Sequence, residues 1–206
     1  MRRGGVPTRA AIRFPPHTAA PTRLHVRSGT PPRLTSFQPS PPASFADPAL
    51  TGTLTGFLAG DDGAAATAQL DLTVAFVSLA ALTPCPTIDV EVGGTTLTPG
   101  VCCAGTISVT GVVTLNGSAT DVWVFQIGST LTTAEDAVIA LGGDAQAGNV
   151  YWLVGSSATL GIGSDVKGNI LALTSITFND DTTLLGRALA QNGTVVLGTG
   201  NTITLP

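Results

Sequence analysis

Four stretches in the second half of the chain line up on one another with a spacing of 18 or 19 residues where no insertion intervenes. They read VFQIGSTLTT, YWLVGSSATLG, ILALTSITFN and ALAQNGTVVLG. In this alignment Trp152, Leu171 and Leu189 are equivalent, and residues 142–149 are an insertion. A period of this length suits one coil of a three-sided β-solenoid, with about five residues on each side plus corners. The repeat therefore predicts a mainly β fold of stacked coils.

The first side of each coil is apolar on both faces, as in VWVFQI and NILAL, so it requires a cover. Residues 64–82 have helical periodicity and are the natural cover. The predicted buried face of this helix consists of Leu70, Val74, Val77 and Ala81. Four further apolar residues widen it: Leu72, Phe76, Leu79 and Ala80.

The second side alternates apolar and hydroxyl residues, which predicts a half-buried strand in each coil. The residues predicted to point inward are Leu131, Ala158, Ile176 and Val195. The hydroxyl residues predicted to point outward are Thr130, Thr132, Ser157, Thr159, Ser175, Thr177 and Thr194. They predict a flat, uncharged surface of small hydroxyl side chains. The third side is more acidic.

The charge distribution limits the classes of function. Residues 47–206 hold thirteen acids and two bases, a net charge of −11, and such a surface repels nucleic acid. Both histidines lie in residues 1–46, which excludes catalytic triads and His–metal sites from the rest of the chain. We therefore predict no catalytic residue, no metal and no cofactor. No apolar stretch reaches the 18 residues of a membrane span.

Residues 1–46 differ from the remainder in composition. They contain seven of the nine basic residues and are rich in Pro, Ser and Thr. This composition predicts a disordered head. A flexible tail, a basic arm for anionic surfaces and a mis-called gene start are the three interpretations, and we favour the last.

The three cysteines, Cys85, Cys102 and Cys103, form no CxxC pair and predict no metal site. A disulfide from Cys85 to one of the adjacent pair, or three reduced thiols, both remain open from the residues alone.

Several runs in a fixed order resemble the DUF3494 ice-binding proteins. They are GGTTLTPGV (93–101), VFQIGSTLTT (124–133), VGSSATLG (154–161) and GNILALTSITF (168–178). The resemblance covers about residues 47–206. It implies a discontinuous three-sided right-handed parallel β-helix with one long α-helix packed alongside, and a secreted or cell-surface antifreeze protein whose partner is the ice crystal surface. It also implies a Cys85–Cys103 disulfide, and we expect a monomer.

The family's ice-binding motif resembles Thr-Ala/Gly-X-Thr/Asn, once per coil. In this chain it falls on residues 133–136, 162–165, 180–183 and 199–202, and only the last quartet keeps the pattern. The resemblance thus implies ice-binding roles for Thr133, Ser164, Thr182, Thr183, Thr199, Asn201 and Thr202. Because Asp136, Asp165 and Asp180 interrupt the motif, we expect modest activity. The outward hydroxyls of the second side are the alternative ice face.

Two other classes remain. GIGSDV (161–166) resembles one unit of a calcium-binding repeat, which would suit a structural or adhesin-type surface solenoid. Asp136, Asp165 and Asp181 could serve carbohydrate cleavage, but no cleft or aromatic platform accompanies them. Thr and Ser also suit exposed strands without any ligand.

Overall fold

The structure is a computed structural model that describes residues 64–206. The predictions on residues 1–46 and on a domain boundary at residue 47 lie outside the described residues. Helix α1 (Ala64–Ala80) is followed by strands alone, apart from a short 3-10 turn at Ala147–Asn149. The strands are β1 (Thr96–Leu97), β2 (Gly100–Ala104), β3 (Ile107–Val109), β4 (Val112–Gly117), β5 (Trp123–Ile127), β6 (Leu131–Thr133), β7 (Val138–Gly143), β8 (Val150–Val154), β9 (Ala158–Leu160), β10 (Asp165–Ala172), β11 (Ile176–Phe178), β12 (Thr183–Ala190), β13 (Val195–Leu197) and β14 (Thr202–Thr204).

The strands stack in parallel on three sides, which confirms the predicted solenoid with a helix alongside. β2, β5 and β8 form the first side, and β3, β6, β9, β11 and β13 form the second. β1, β4, β7 and β14 belong to the third side. β10 and β12 run from the third side into the first, so these two sides share one sheet. Gly168 makes this passage possible in β10: its φ is +112°, and a Cβ there would lie 2.8 Å from the Val150 side chain.

The interior of the coils is filled by aliphatic and aromatic side chains. Phe125 and Trp152 are fully buried and stack with ring centroids 4.1 Å apart. The register pairs Trp152 with Ile170, so the predicted equivalence of Trp152 and Leu171 is wrong by one residue. Since adjacent strand residues face opposite sides, Trp152 points into the solenoid, while Leu171 faces outward beneath the helix.

The helix covers the first side as predicted, but with a different face. Leu72 and Leu79 are buried against Val124, Leu153 and Leu171. The predicted face is wrong, because Leu70, Val74, Val77 and Ala81 are exposed. The helix carries apolar residues on both faces, so periodicity alone did not identify the buried one.

Two further contacts fix the helix end to the solenoid. The Gln126 Nε2 donates to the carbonyls of Leu79 and Leu82 at 2.8 and 3.0 Å. The predicted Cys85–Cys103 disulfide is confirmed, with a Cα–Cα distance of 5.4 Å, and it joins the segment after the helix to β2. Within the described chain no helix has the length and apolarity needed to cross a membrane.

Candidate functional site

The outer surface of the second side carries a row of small side chains in strict register. We call Ser108, Thr132, Thr159 and Thr177 the hydroxyl row; the strand pairing places each beside the next, with Val196 at the end. The alternation is as predicted: the intervening Leu131, Ala158 and Ile176 are fully buried and Val195 is half-buried. Ser108 was missing from the predicted set, although TISVT (106–110) has the same alternation.

The threonine hydroxyls of this row are available to water. Among the described residues, those of Thr132, Thr159 and Thr177 have no protein hydrogen-bond partner, and Thr132 and Thr159 are exposed. The alternating buried residues hold each strand against the core, so the row is rigid. From Ser108 to Val196 the row carries no charge.

A carboxylate ends the row. Glu91 forms an isolated parallel β-bridge with Ser108 and so occupies the next position beyond Ser108 in the row. Its Oε1 accepts hydrogen bonds from the N–H groups of Gly93 (2.7 Å) and Thr110 (2.9 Å), and its Oε2 accepts one from the Thr110 hydroxyl (2.9 Å). Desolvation is the largest single effect and raises the pKa of Glu91, but these bonds and one from the Ser108 hydroxyl together outweigh it and lower the pKa to about 2. Glu91 therefore clamps the first coil to the second.

A second line of hydroxyls, predicted to point outward, lies two residues earlier in the chain, immediately before each strand. Thr130, Ser157 and Ser175 are half-buried and Thr194 is exposed. The Ser157 Oγ accepts a hydrogen bond from the Ser175 N–H at 3.3 Å, and the Ser175 Oγ accepts one from the Thr194 N–H at 3.2 Å. The two serines thus tie successive coils together at a corner.

Three of the residues matched to the family motif are buried in the corner between the second and third sides. Thr133, Ser164 and Thr182 are 3%, 0% and 0% exposed. The Thr133 Oγ1 accepts from the Gly161 N–H, and the Ser164 and Thr182 hydroxyls donate to the Gly161 carbonyl at 2.7 and 2.9 Å. The half-buried Asn201 accepts from the Thr182 N–H at 2.8 Å. These four side chains brace the corners, and the three buried ones have no surface to offer a ligand.

The placement of Thr133 has a simple cause. Asp165 pairs with Val138, so the quartet equivalent to residues 162–165 is 135–138, two residues later than the motif match. Thr132 pairs with Thr159, and Thr133 follows it on the inner face with Leu160. In this coil the register therefore places residues 135–138, and not 133–136, beside the quartet 162–165.

Three motif residues remain at the surface. Thr183, Thr199 and Thr202 are exposed, and Thr183 and Thr202 are neighbours in register. The Thr183 hydroxyl donates to the Asp165 Oδ1 at 2.7 Å, and Asp165 is also paired with Lys167. Four exposed carboxylates lie along the same corner: Glu135, Asp136, Asp180 and Asp181.

These acids do not form a metal centre. In the described part of the chain no three His, Cys, Asp or Glu side chains come close enough to hold a metal ion. The Asp180 Oδ1 accepts a hydrogen bond from the Thr199 N–H at 2.7 Å. This bond links two successive coils at the corner.

Comparison with known proteins points to one group. A family model described as ice-binding-like matches residues 20–204. An ice-binding protein of Nostoc sp. is 46% identical over 150 residues, covering 70% of this chain and 55% of its own length. One from Flavobacterium frigoris is 40% identical over 116 residues, with 56% and 41% covered. The chain thus spans about half the length of these relatives.

Solved structures agree with these sequence matches. The crystal structure of an ice-binding protein from an Antarctic biological consortium superposes with a TM-score of 0.68 at 43% identity, covering 71% of this chain and 68% of that one. That of the Antarctic ascomycete Antarctomyces psychrotrophicus gives 0.64 at 37% identity, with 69% and 72% covered.

Proposed function

Because this chain belongs to the ice-binding-like family, we propose that it adsorbs to ice and does so through the outer face of its second side. The observation that carries the proposal is the hydroxyl row: a line of side chains in register, on a rigid sheet, in which no protein group uses the hydroxyls of Thr132, Thr159 and Thr177. The ligand is the surface of an ice crystal. Adsorption to it inhibits crystal growth and recrystallisation.

The geometry of a parallel sheet gives this proposal a physical basis. Neighbouring strands lie about 4.8 Å apart, and alternate residues on one strand lie about 6.7 Å apart. A grid at these spacings can hold surface waters in an ordered array. Threonine suits the task because its methyl group is apolar, its hydroxyl anchors water and its χ1 torsion is stiff. Val196, at one end of the row, has the same shape as threonine. It offers methyl groups to the surface but no hydroxyl.

The corner with the motif residues is the weaker alternative surface. Thr183, Thr199 and Thr202 remain there, but exposed carboxylates surround them. A charged group holds its hydration shell strongly and orients it radially, which competes with an ordered layer of water. This contrast in charge supports the hydroxyl row over the corner. Restoring the motif with Asp165→Thr should therefore change activity little.

The test is direct. Thermal hysteresis and recrystallisation inhibition of the full chain are measured against an inert protein of equal size and charge, with and without calcium. We expect both activities, independent of calcium. Absence of both, together with a melting temperature that rises on adding calcium, would instead support a calcium-stabilised structural or adhesin-type solenoid. That second result would overturn the proposal.

We also propose that the protein works outside the cell. The Cys85–Cys103 disulfide supports this, since such bonds form and persist in oxidising compartments. An exported form recovered from the producing cells' medium, with both cysteines oxidised, is the expected finding. Recovery from the cytosol with free thiols would contradict it.

A further inference from the structure

The described solenoid is closed at one end and open at the other. At the open end lies the last coil, residues 187–206, with the end of β12 and all of β13 and β14. Its core-facing residue Ile203 is 42% exposed, and four others are half-buried: Ala188, Ala190, Val195 and Leu197. Their partners one coil earlier are all buried: Ile170, Ala172, Ile176, Phe178 and Leu184. The hydrophobic core is therefore uncovered at the last coil because the stack of described strands stops there.

The last coil also presents backbone groups that no described residue uses. β13 lies at the edge of its sheet and pairs with β11 alone. Its bonds to β11 include the carbonyl of Thr194 and the N–H of Gly198. Because successive residues of a strand direct their N–H and C=O groups to opposite sides, those of Val195 and Leu197 point away from the sheet. By the same alternation, three more residues have free backbone groups: Ala188, Ala190 and Ile203.

The other end of the solenoid shows how such an edge is normally protected. There, residues 86–92 bond to the edges of β2 and β3, and this covering segment contains Pro86 and Glu91. Proline and charged side chains prevent a further strand from adding to an edge. In the last coil, β13 and β14 contain neither, and the one charged side chain of the coil is that of Arg187. Nothing in the sequence of the last coil opposes pairing with another chain.

Charge and size favour a second copy of this chain as the occupant. All thirteen acids precede residue 182, so two copies of an acidic protein repel each other least when they meet through their last coils. The last coil contains 20 residues. A standard interface between proteins takes about 20–30 residues from each partner. The end of the solenoid thus has the size of a dimer interface.

We infer that two copies associate end to end through their last coils, around a two-fold axis. β13 then pairs antiparallel with β13 of the partner copy, and the Val195 backbone exchanges both hydrogen bonds with Leu197 of the partner copy. The axis also brings the first side of one copy onto the third side of the other. Ile203 becomes part of a shared core. Since the opposite end is covered, association stops at the dimer.

This dimer extends the proposed ice-contacting surface. Pairing of β13 with its copy joins the two 5-stranded sheets of the second sides into one sheet. The hydroxyl row of one copy then continues into that of the other, with Val196 on the axis. This consequence rests on the proposed function, whereas the association itself does not. The family resemblance led us to expect a monomer, and the open end of the solenoid favours the dimer instead.

The first test measures association without ice. In sedimentation equilibrium, the full chain should dimerise with increasing concentration. Ile203→Lys should raise the dissociation constant at least about 100-fold, because two unpaired ammonium groups would enter an apolar interface. The matched control is Ile162→Lys, which adds the same charge at an aliphatic residue that is 47% exposed and lies outside the last coil. Circular dichroism checks that both variants keep the parent's fold.

Two results of this test would overturn the inference. One is a parent chain that stays monomeric at every concentration, and the other is a dimer that Ile203→Lys and Ile162→Lys affect equally.

The second test locates the interface on the backbone. Hydrogen exchange of peptides that contain β13 should slow at least tenfold between the monomeric and the dimeric concentration, while peptides that contain β6 should not change. Val195→Pro should abolish the dimer and preserve the fold, since this N–H points away from β11 and proline is tolerated at the first residue of an edge strand. Val196→Thr is the control on the same strand and should dimerise normally. Protection of β13 that is already complete in the monomer would contradict the inference, because another part of the chain would then cover the edge.

Thermal hysteresis separates this inference from the proposed function. At a concentration where the parent is dimeric, Ile203→Lys should show lower hysteresis than the parent, and the two should agree where both are monomeric. A dimer without any hysteresis would reject ice binding and leave the interface supported. Equal hysteresis in the dimeric parent and the monomeric variant would contradict the continuous row.

Discussion

Replacing Thr182 with valine separates a structural role from an ice-binding role at a residue that the family motif marks for ice. Thr182 is fully buried, and its Oγ1 lies 2.9 Å from the carbonyl oxygens of both Gly161 and Asn179. Valine keeps the shape and removes the hydroxyl. One hydrogen bond is lost and a buried carbonyl is left short of a donor, at a combined cost of about 2 kcal/mol. For a domain of this size that lowers Tm by roughly 4–8 °C.

The assay combines urea unfolding with thermal hysteresis on the same preparation, measured well below the melting temperature. Thr182→Val should lose stability and keep its hysteresis. Thr159→Val, on the exposed row, is the matched control and should change stability by less than about 0.5 kcal/mol. Unchanged stability with lost hysteresis in Thr182→Val would refute the reasoning, because it would mean that the hydroxyl meets ice.

Three more predictions follow from contacts in the solenoid. Replacing both Cys85 and Cys103 with serine should lower the free energy of unfolding by about 3 kcal/mol, since the bond spans 18 residues; a melt unaffected by reductant would contradict this. Phe125→Ala should cost about 3–5 kcal/mol in urea unfolding because Phe125 is fully buried against Trp152, and a loss below about 1 kcal/mol would show that the interior repacks. The lowered pKa of Glu91 stabilises the fold above the ordinary value of 4.5, and this contribution is lost as pH falls towards about 2. Glu91→Gln should therefore show a smaller loss of stability than the parent between pH 4.5 and 2, and identical acid profiles would count against the clamp.

The coils and the helix cover were predictable because each depends on a robust signal, whereas the Cys85–Cys103 pairing followed from the family resemblance alone. The 18-residue period and the alternation of Leu131 and Ala158 with hydroxyl residues are repeated from coil to coil. What escaped prediction was register. Val109 and Val112 lie three residues apart at one corner, while their partners Thr133 and Val138 lie five apart at the next. A corner of variable length shifts the alignment, and a shift of one residue moves a side chain to the opposite face.

Composition also could not distinguish a braced hydroxyl from a free one. Thr182 and Thr177 have the same side chain and lie five residues apart, yet one is a buried corner donor and the other lies on the outer surface. The difference arises from the fold of the corner, where the Gly161 carbonyl accepts hydrogen bonds from the hydroxyls of Ser164 and Thr182. The helix posed the same difficulty, since its two faces are both apolar and only the solenoid beneath it selects one.

The most direct test of the ice-contacting surface compares two bulky substitutions on the two candidate faces. Thr159→Tyr places a ring in the middle of the hydroxyl row, between Thr132 and Thr177, and Thr202→Tyr places one on the exposed corner strand. Thermal hysteresis is measured at equal concentration after circular dichroism has confirmed the same fold. We predict that Thr159→Tyr loses most of the activity while Thr202→Tyr keeps it. Loss in Thr202→Tyr with full activity in Thr159→Tyr would contradict the account and move the ice-contacting surface to the corner.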